Sequence, residues 1–414
     1  MFRYIDLFCG IGGFHKGIDR VAKKRNLKTK CVFAADNDEN AAAVYKLNYK
    51  IDALNDLKSE ETHNRINEAI GNEELTCIFA GFPCQPFSKA GNQEGFRNEI
   101  KGTLFFEIMK IVENQKPPYI LLENVRNLRN HDNGNTWNVI KNALKEEGYI
   151  VDDIIISPNE IYNIPALRER IFIMAYNRNK LGINSKEQIE IDKSITRKQT
   201  SIYTWGAFNK GLKKKYFEIN SMEDIEKERK KTINMWNELY HMLKKNNGYI
   251  ISPLWPKFFK NDVENFEQMP QWKQAIIRKN QRFYKDNKKI YDEWYKKNKN
   301  HFDKLSESDK KFEWNAGDSI NDIWEGIIQF RPSGVRVKKP DFIPTLVAIN
   351  QTPILGIEKR YLKPSEIAKL YGFGKINFGE EPLSEQYKQL GNTVSVDVVE
   401  HLIEHMLRVT EYGG

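Results

Sequence analysis

The sequence is poor in cysteine and contains no long apolar run. Its four cysteines (Cys9, Cys31, Cys77 and Cys84) stand far apart with no C-x-x-C pair, so the chain predicts neither a zinc site nor a disulfide framework. No apolar stretch approaches the ~20 residues that span a bilayer. The start, MFRYIDLFCGIGGF, lacks a basic region and contains Asp6, which argues against a signal peptide. We therefore expect a protein of a reducing cytoplasm, with neither a metal nor a membrane partner.

Net charge and chain length limit the kinds of partner and the number of domains that the protein can have. The 65 basic and 56 acidic side chains give a formal charge of +9 and a pI near 9.0, which permits a polyanionic partner without establishing one. Hydrophobic residues at 40% and charged residues at 29% are typical of a globular protein. Because a single core rarely grows past roughly 250–300 residues, the 414 residues predict two domains.

The first part of the chain alternates apolar, strand-like runs with helical segments. Strands are expected at Tyr4–Phe8, Cys31–Ala35, Cys77–Ala80 and Tyr119–Glu123, with helices such as Glu39–Asn48 and Thr103–Glu113 between them. This alternation predicts an α/β fold built on a doubly wound parallel sheet with helices on both faces. Ligands of such sheets bind beyond the carboxyl ends of the strands. The residues that stand at those ends are Gly10–Gly13, Asp36, Pro83, Cys84, Glu123 and Asn124.

The composition of the chain changes after about residue 178, and the alternation of strand-like and helical segments ends there. Residues 179–311 are rich in Lys, Asn and aromatics, and Ile276, Phe283 and Ile290 repeat every seven residues. This period favours a surface helix with one apolar stripe and a solvated basic face; a nucleic-acid surface is the weaker interpretation. From Gln329 the pattern is strand-like again (RPSGVRV, then FIPTLVAI), and Asn392–Val409 is helical after its first residues.

A glycine-rich turn follows the first strand. In DLFCGIGG (residues 6–13) the glycines allow a sharp turn and close approach of a ligand to helix N–H groups. A plain strand-to-helix corner is about as common for such a turn. Asp36, some 20 residues on, matches the acidic residue that bonds ribose hydroxyls in dinucleotide folds. Asp56 fits an adenine contact and an exposed turn equally well.

The segment GFPCQPFS (residues 81–88) places Cys84 between two prolines directly after a strand. A buried, inert thiol is the ordinary interpretation of a single cysteine. The stiff loop at the carboxyl end of a strand favours a reactive one. The polar Ser88–Lys101 segment, with Gly91 and Gly95 in it and Gly102 after it, is a candidate lid over a substrate.

Two further segments carry ionisable groups. Glu123 ends a strand and is either a loop-bracing residue or a general acid kept protonated by partial burial. The pair Arg168 and Arg170 precedes the apolar run at 171–175. These arginines are either exposed to solvent or donate guanidinium N–H groups to an anion or a carbonyl oxygen.

Six segments occur in the order typical of DNA (cytosine-5)-methyltransferases: DLFCGIGGF, GFPCQPFS, GTLFFEI, ENV, RERIF and KQLGNTV. The chain resembles a bacterial member of that family over residues 3–177 and 330–410, and most of 180–328 lies outside the resemblance. The resemblance implies the Rossmann-like sheet of S-adenosylmethionine-dependent methyltransferases with a second, smaller target-recognition domain. The implied boundaries are 1–178 for the catalytic domain, 179–345 for target recognition, 346–383 for a hinge and 384–414 for a returning segment.

The resemblance also implies residue roles. Cys84 would attack C6 of a flipped-out cytosine, Glu123 would bond N3 and the exocyclic amine, Arg170 would hold O2 and Arg168 would brace the catalytic loop. S-adenosylmethionine would be bound by Phe8, Gly10, Ile11, Gly12, Gly13, Asp36, Asn37, Asp56, Leu57, Pro83, Leu104, Asn392 and Val394. Gln85 and Ser88 would enter the duplex. We add, as a hypothesis, that Arg331 and Arg336 of the RPSGVRV strand face the DNA groove.

The sequence departs from the family pattern at three places. Ala166 stands where a Gln usually precedes the first arginine, Asn37 where a large apolar residue often covers the adenine, and Cys9 where Ala or Ser is common. None of these changes involves Cys84 or Glu123.

Three alternatives remain open at this point. One is an RNA (cytosine-5)-methyltransferase of the transfer-RNA type, which usually has a shorter recognition insert. Another is a DNA-binding module with a vestigial cofactor fold, and a third is a small-molecule or protein methyltransferase. The favoured expectation is a monomer that methylates cytosine in double-stranded DNA, with a cognate restriction endonuclease as a partner in the cell.

Overall fold

The computed structural model describes residues 1–83, 103–161, 164–183, 225–260, 263–346 and 351–411. Cys84, Gln85, Ser88 and the expected lid lie outside the described residues. The chain divides into two compact units. The large unit comprises residues 1–199, 345–349 and 364–414, and the small unit comprises residues 200–344 and 350–363.

A six-stranded sheet forms the centre of the large unit. Its strands are β1 (Phe2–Leu7), β2 (Thr29–Ala35), β3 (Cys77–Ala80), β4 (Tyr119–Val125), β5 (Tyr149–Ile156) and β6 (Arg170–Asn177). They lie in the order β2-β1-β3-β4-β6-β5. All four predicted strands are present, and β3 has its predicted bounds. The α/β sheet predicted from the sequence is therefore confirmed.

One strand of this sheet runs against the others. β6 pairs antiparallel with both β4 and β5, whereas β1, β2, β3 and β4 pair in parallel. Only residues 157–169 join β5 to β6, and they contain a single four-residue helix. A parallel return needs a crossover that spans the length of the sheet, so the chain turns back antiparallel. The sequence pattern alone did not predict this reversal.

Helices cover both faces of the sheet. Up to residue 183, the described helices are α1 (Gly13–Arg25), α2 (Glu39–Tyr49), α3 (Glu60–Ile70), α4 (Leu104–Gln115), α5 (Asn135–Glu146), α6 (Pro158–Ile161) and α7 (Arg178–Leu181), with a 3-10 segment at Arg126–Gly134. Side chains alternate across the strands, so Ile5 of β1 packs with α3, α4 and α5, while Tyr4 packs with α1 on the other face. Two cores therefore hold the sheet, as a doubly wound fold requires.

The small unit combines two long helices with a second sheet. The helices are α8 (Lys227–Lys245) and α9 (Gln271–Phe302), and the strands are β7 (Phe312–Asn315), β8 (Ile327–Arg331), β9 (Gly334–Lys338), β10 (Ile354–Leu355) and β11 (Arg360–Tyr361). Short 3-10 segments occupy Pro256–Phe258, Phe266–Gln268, Ile323–Glu325 and Gly356–Glu358. Trp236 of α8 and Trp294 of α9 stack with their ring centroids 5.3 Å apart. The seven-residue apolar period therefore predicted a helix correctly, and that helix packs by an aromatic seam.

Three helices complete the large unit: α10 (Pro364–Leu370), α11 (Leu383–Asn392) and α12 (Val396–Glu411). α12 packs against α1 through Val398, Val399 and Leu402. No helix in the described part of the chain is long and apolar enough to cross a bilayer.

One local expectation was wrong. FIPTLVAI reads as a strand, but its described residues, 342–346, belong to none of the strands. Pro344 has no N–H to give to a ladder, and the hydroxyl of Thr345 donates to the carbonyl oxygen of Leu167 at 2.7 Å. Ile343 and Leu346 are buried all the same. Their apolar character reflects packing of an irregular segment and not a sheet.

Candidate active site

The turn after β1 is held in a left-handed backbone conformation. Phe8, Gly10 and Gly12 have φ values of +53°, +52° and +84°. A Cβ on Gly12 would overlap the ring of Tyr49, and one on Gly13 would overlap the side chain of Val394. These two glycines thus allow close packing of the turn against α2 and the segment before α12. Of the residues predicted to surround a cofactor, Gly12, Gly13 and Val394 do not line the cavity that the turn borders.

Asp36 ties the end of β2 to this turn. Its carboxylate accepts the backbone N–H of Gly10 at 2.8 Å and that of Asp38 at 2.9 Å. Burial raises the pKa of Asp36, and the backbone hydrogen bonds oppose that rise. The carboxylate therefore fixes the turn while it faces the cavity, where it can accept hydrogen bonds from hydroxyl groups of a ligand.

A cavity of about 440 Å³ opens at the carboxyl ends of the strands in the large unit. This volume is in the range of small-molecule sites. Thirteen of the predicted site residues line it: Phe8, Gly10, Ile11, Asp36, Asn37, Asp56, Leu57, Pro83, Leu104, Glu123, Arg168, Arg170 and Asn392. Residues predicted from eight separate stretches of sequence thus meet at one place.

Glu123 and Arg170 form an ion pair inside this cavity. Strand register places Glu123 opposite Phe172 on the antiparallel strand β6, two residues along from Arg170. Arg170 Nε lies 3.0 Å from Glu123 Oε1, and both side chains are largely withdrawn from water. Burial raises the pKa of Glu123, and the Arg170 guanidinium opposes part of that rise. Burial lowers the pKa of Arg170 to about 10.

The Glu123–Arg170 pair can take part in general acid catalysis. A raised pKa keeps a larger share of the Glu123 carboxyl protonated near neutral pH. The protonated carboxyl can donate a hydrogen bond or a proton to a ring nitrogen. Arg170 retains its positive charge at neutral pH, because a pKa of about 10 is still well above 7. A carbonyl oxygen is a suitable partner for its remaining N–H groups.

Arg168 is 2% exposed. Its Nη2 donates to the carbonyl oxygen of Gly391 at 3.0 Å, and its guanidinium lies over the Tyr371 ring, 5.3 Å from the centroid. Nε and Nη1 have no hydrogen-bond partner among the residues that the structure describes. A buried guanidinium with free donors costs free energy, so this arginine is held ready for an acceptor that is not part of the described structure.

Asn124 links the end of β4 to the end of β3. Its Nδ2 donates to the carbonyl oxygen of Phe82 at 2.8 Å, and its Oδ1 accepts the N–H of Val125 at 2.8 Å. Phe82 and Pro83 are the last described residues before Cys84. The amide of the Glu-Asn-Val segment therefore positions the chain where the cysteine loop begins.

Gln389 is a cavity residue that the sequence reasoning missed. It lies in the last turn of α11, is 4% exposed and lines the cavity. Within the described part of the chain, neither its Oε1 nor its Nε2 has a hydrogen-bond partner. The only signal in the sequence was its place in KQLGNTV, a segment in which the resemblance implied cofactor contacts for Asn392 and Val394 but not for Gln389.

The two arginines of the hypothesised DNA-facing strand lie in the small unit. Arg336 Nε is 2.5 Å from Oε2 of the buried Glu313 on β7, in register beside it. Arg331 Nε donates to Oε1 of Gln351 at 3.3 Å. Both guanidinium groups thus have partners within the unit, and their role with DNA stays a prediction.

Comparison with known proteins decides the family. A sequence model of the C-5 cytosine-specific DNA methylases matches residues 2–408. The chain belongs to this family. It is a DNA (cytosine-5)-methyltransferase, which removes the alternative of a small-molecule or protein methyltransferase.

Similar proteins of the family match this chain over nearly their whole length. The Type II methyltransferase M.AluI of Cellulosimicrobium cellulans is 29% identical, with 98% of this chain and 92% of that protein covered. The Type II methyltransferase M.BanI of Aneurinibacillus aneurinilyticus is also 29% identical, with 98% and 96% covered. A solved structure of a putative DNA modification methyltransferase from an Escherichia coli prophage has a TM-score of 0.54 at 18% identity, with 99% and 100% covered. The similarity to that solved structure shows that the two proteins share a fold.

Proposed function

We propose that this methyltransferase transfers a methyl group from S-adenosylmethionine to carbon 5 of a flipped-out cytosine in a specific double-stranded DNA sequence, with Cys84 as the nucleophile. The observation that carries the proposal is the buried Glu123–Arg170 pair, which shares a cavity with the Gly10 turn and Asp36. Pro83, the residue before Cys84, lines the same cavity. An acid and two cations therefore meet at the sheet edge from which the chain continues to Cys84.

The residues of the cavity fit S-adenosylmethionine. Asp36 offers a carboxylate for ribose hydroxyls, and Ile11 and Leu57 are buried apolar residues suited to an adenine ring. Asp56 is exposed at the rim and can accept from the adenine amino group. Leu104 and Asn392 border the same space. When bound, this cofactor supplies the methyl group that the cytosine receives.

The chain's own residues then account for activation of the base. The Cys84 thiolate adds to C6, and the electron pair released from the C5–C6 double bond moves toward N3, where the proton of Glu123 is accepted. C5 is then electron-rich enough to take the methyl group. Loss of the C5 proton to solvent restores the double bond, breaks the S–C6 bond and returns Cys84 as a thiolate. The N3 proton goes back to Glu123.

Arg170 and Arg168 have distinct parts in this proposal. Arg170, paired with Glu123, holds the O2 carbonyl of the base, which keeps the ring oriented while negative charge develops on it. Arg168 uses its free Nε and Nη1 to hold the backbone of the loop that carries Cys84, Gln85 and Ser88. Base flipping is needed because C6 cannot be reached inside a duplex.

The small unit is proposed to recognise DNA. Phosphate contacts would position the duplex and a smaller number of side chains would read bases. The Type II names of the relatives M.AluI and M.BanI favour a role in a restriction-modification system, with a cognate endonuclease in the same cell. We propose that the enzyme acts as a monomer in the cytoplasm and needs no metal.

One experiment tests the proposed function. The protein is incubated with S-adenosylmethionine carrying a tritiated methyl group and either unmethylated amplified DNA or transfer RNA. Cys84→Ala is compared with Cys9→Ala, which changes a buried cysteine of the glycine turn to a residue common in the family. We expect label in DNA cytosine with the wild type and with Cys9→Ala, and none with Cys84→Ala. Label in transfer RNA instead, or a full rate in Cys84→Ala, would overturn the proposal.

A further inference from the structure

The long helix α9 holds most of the excess positive charge of the chain. Residues 271–302 contain ten Lys or Arg and three Asp or Glu, an excess of seven against nine for the whole protein. The helix lies in the small unit, in the stretch that the sequence motifs do not cover. Such a concentration of positive charge in one helix does not follow from the average composition of the chain and needs a physical reason.

The basic side chains are sorted onto one face. At 100° per residue, five exposed cations fall within an arc of about 60°: Arg278, Arg282, Lys285, Lys289 and Lys296. We call this set the basic stripe. It extends over roughly 27 Å at 1.5 Å per residue.

The buried face of α9 lies opposite the basic stripe. Phe283, Asn287, Tyr291 and Trp294 are buried at spacings of four, four and three residues. The backbone of Asn287 departs from helical angles (φ −120°, ψ 19°), yet this buried line continues on both sides of it. The same face therefore points inward along the whole helix, and the basic stripe points outward along its whole length.

The cations of the stripe are poorly neutralised within the described structure. Arg282 Nε is 3.7 Å from Asp286 in an exposed pair, the kind that contributes little. Arg278 bonds the neutral Gln274 and lies over the Phe266 ring. For Lys285, Lys289 and Lys296, the described residues provide no acidic partner within 4 Å. The stripe therefore presents five positive charges to solvent or to a partner.

Helix stability does not explain this arrangement. Arg278 with Arg282, and Lys285 with Lys289, are like charges four residues apart, a spacing that destabilises a helix by a few tenths of a kcal/mol per pair. The stability of α9 comes from its other face, where Trp294 stacks on Trp236 and donates its indole N–H to the carbonyl oxygen of Met235 at 2.8 Å. A straight row of repelling cations is better accounted for by a row of anions outside the protein.

We propose that the basic stripe binds the phosphate backbone of duplex DNA along a length of about 8 base pairs, without reading sequence. The inference rests on the proposed function, because it takes DNA as the substrate. DNA fits because its phosphates recur along a line at spacings that long, flexible Lys and Arg side chains can match. Releasing the counterions condensed on those phosphates supplies the affinity.

The test is the salt dependence of DNA binding by the full chain. A labelled duplex of mixed sequence and about 30 base pairs, longer than the stripe, is titrated at several salt concentrations. The variant is R278Q/R282Q/K285Q/K289Q/K296Q. The matched control is K23Q/K28Q/K30Q/K116Q/K145Q, which removes the same charge from exposed residues near the amino ends of β2, β4 and β5, at the sheet edge away from the cavity. Circular dichroism checks that both variants keep their helices.

We expect the slope of log K against log salt to become shallower by about 4 in the stripe variant, because each phosphate that the protein no longer neutralises reduces the slope by close to one. The control variant should change it by less than about 1. A stripe variant that matches the control would overturn the inference. So would a loss of affinity for double-stranded RNA without one for DNA.

Failure of this inference is distinguishable from failure of the proposed function. If the wild type methylates DNA but the stripe variant keeps the wild-type slope, only the stripe assignment is wrong. If the wild type places no label in DNA cytosine, the proposed function is wrong, and the stripe loses its substrate with it.

Discussion

Nε of Arg170 lies 3.0 Å from Oε1 of Glu123, across the antiparallel strands β4 and β6 of a sheet that the sequence pattern predicted to be parallel. The reversal of β6 creates this pairing, since it brings the start of β6 beside the end of β4. Both groups then stand at the same edge of the sheet, where parallel strands on the other side deliver the glycine turn and Asp36. The mixed sheet is thus the reason why an acid and a cation meet in this cavity.

Glu123→Gln should lower the rate of methyl transfer by roughly 10²–10⁴-fold, the usual contribution of a general acid. Gln retains hydrogen-bonding atoms of similar shape but has no proton to give. Single-turnover rates with unmethylated DNA measure the effect. Glu169→Gln changes a half-buried acid next to Arg170 that pairs with Arg126 and does not line the cavity; it is the control and should stay near the wild-type rate.

The pH profile of the same enzyme gives a second, independent prediction. Because burial raises the pKa of Glu123, the protonated, active form persists to higher pH than for an ordinary carboxyl, and activity falls as the pH rises through that raised pKa. We expect an alkaline loss of kcat/KM in the wild type that is missing from the residual activity of Glu123→Gln. An identical alkaline limb in both proteins would assign it to another group.

Asp36→Asn should weaken binding of S-adenosylhomocysteine by roughly 10–100-fold, since a hydrogen bond to a charged group contributes about 1.5–3 kcal/mol. The amide oxygen can still accept the Gly10 N–H, but the amide nitrogen cannot accept the Asp38 N–H, so part of the loss comes from a loosened turn. Titration calorimetry without DNA measures the affinity. Asp52→Asn removes a charge from an exposed residue outside the cavity and should bind normally. Equal affinities for the two variants would remove Asp36 from the cofactor site.

Gly13→Ala should destabilise the fold by about 1–3 kcal/mol, because the added methyl group overlaps Val394 and an overpacked core relaxes at that cost. Val394→Ala makes room for it. Chemical denaturation of the two single variants and the double variant should give a favourable coupling energy of about 1 kcal/mol or more. Strict additivity would mean that the turn and the segment before α12 do not pack as described.

Gln389→Met should affect stability and activity in opposite directions. Replacing a buried amide that has no partner with an apolar side chain of similar shape leaves the unfolding free energy unchanged or raises it by about 1 kcal/mol. If the amide serves a ligand, methyl transfer should fall at least tenfold. Gln386→Met is the control, since Gln386 lies on the same helix, bonds the Glu381 carbonyl oxygen at 2.8 Å and does not line the cavity. A loss of stability in Gln389→Met would show instead that the amide has a structural partner.

Local patterns were sufficient to predict four of the six strands described in the large unit and the residues at their ends. β3 is a four-residue apolar run closed by Gly81, and β4 ends within two residues of its predicted limit, because buried parallel strands leave near-continuous apolar signatures. Ligand position then follows from topology. This is why Gly10, Asp36, Pro83 and Glu123 line one cavity, whereas lining residues such as Leu104 and Asn392 were implied by the resemblance to the family.

Contacts between distant parts of the chain could not be predicted in this way. Gly13 faces Val394, and Arg168 bonds Gly391, although each pair is separated by more than 200 residues. The motif suggested that Gly12, Gly13 and Val394 surround the cofactor, whereas Gly12 and Gly13 are needed for the close packing that shapes the turn. Gln389 was missed for the same reason, since its burial depends on how α11 folds back onto the sheet. No local period encodes that docking.

The central claim is that Cys84 forms a covalent bond to the target cytosine. It is tested most directly with duplex DNA in which cytosine is replaced by 5-fluorocytosine, because fluorine cannot leave C5 as a proton does and the adduct cannot resolve. After incubation with S-adenosylmethionine and digestion, mass spectrometry should find the nucleotide attached to the peptide that contains Cys84. The absence of an adduct, or its attachment to Cys9, Cys31 or Cys77, would contradict the mechanism.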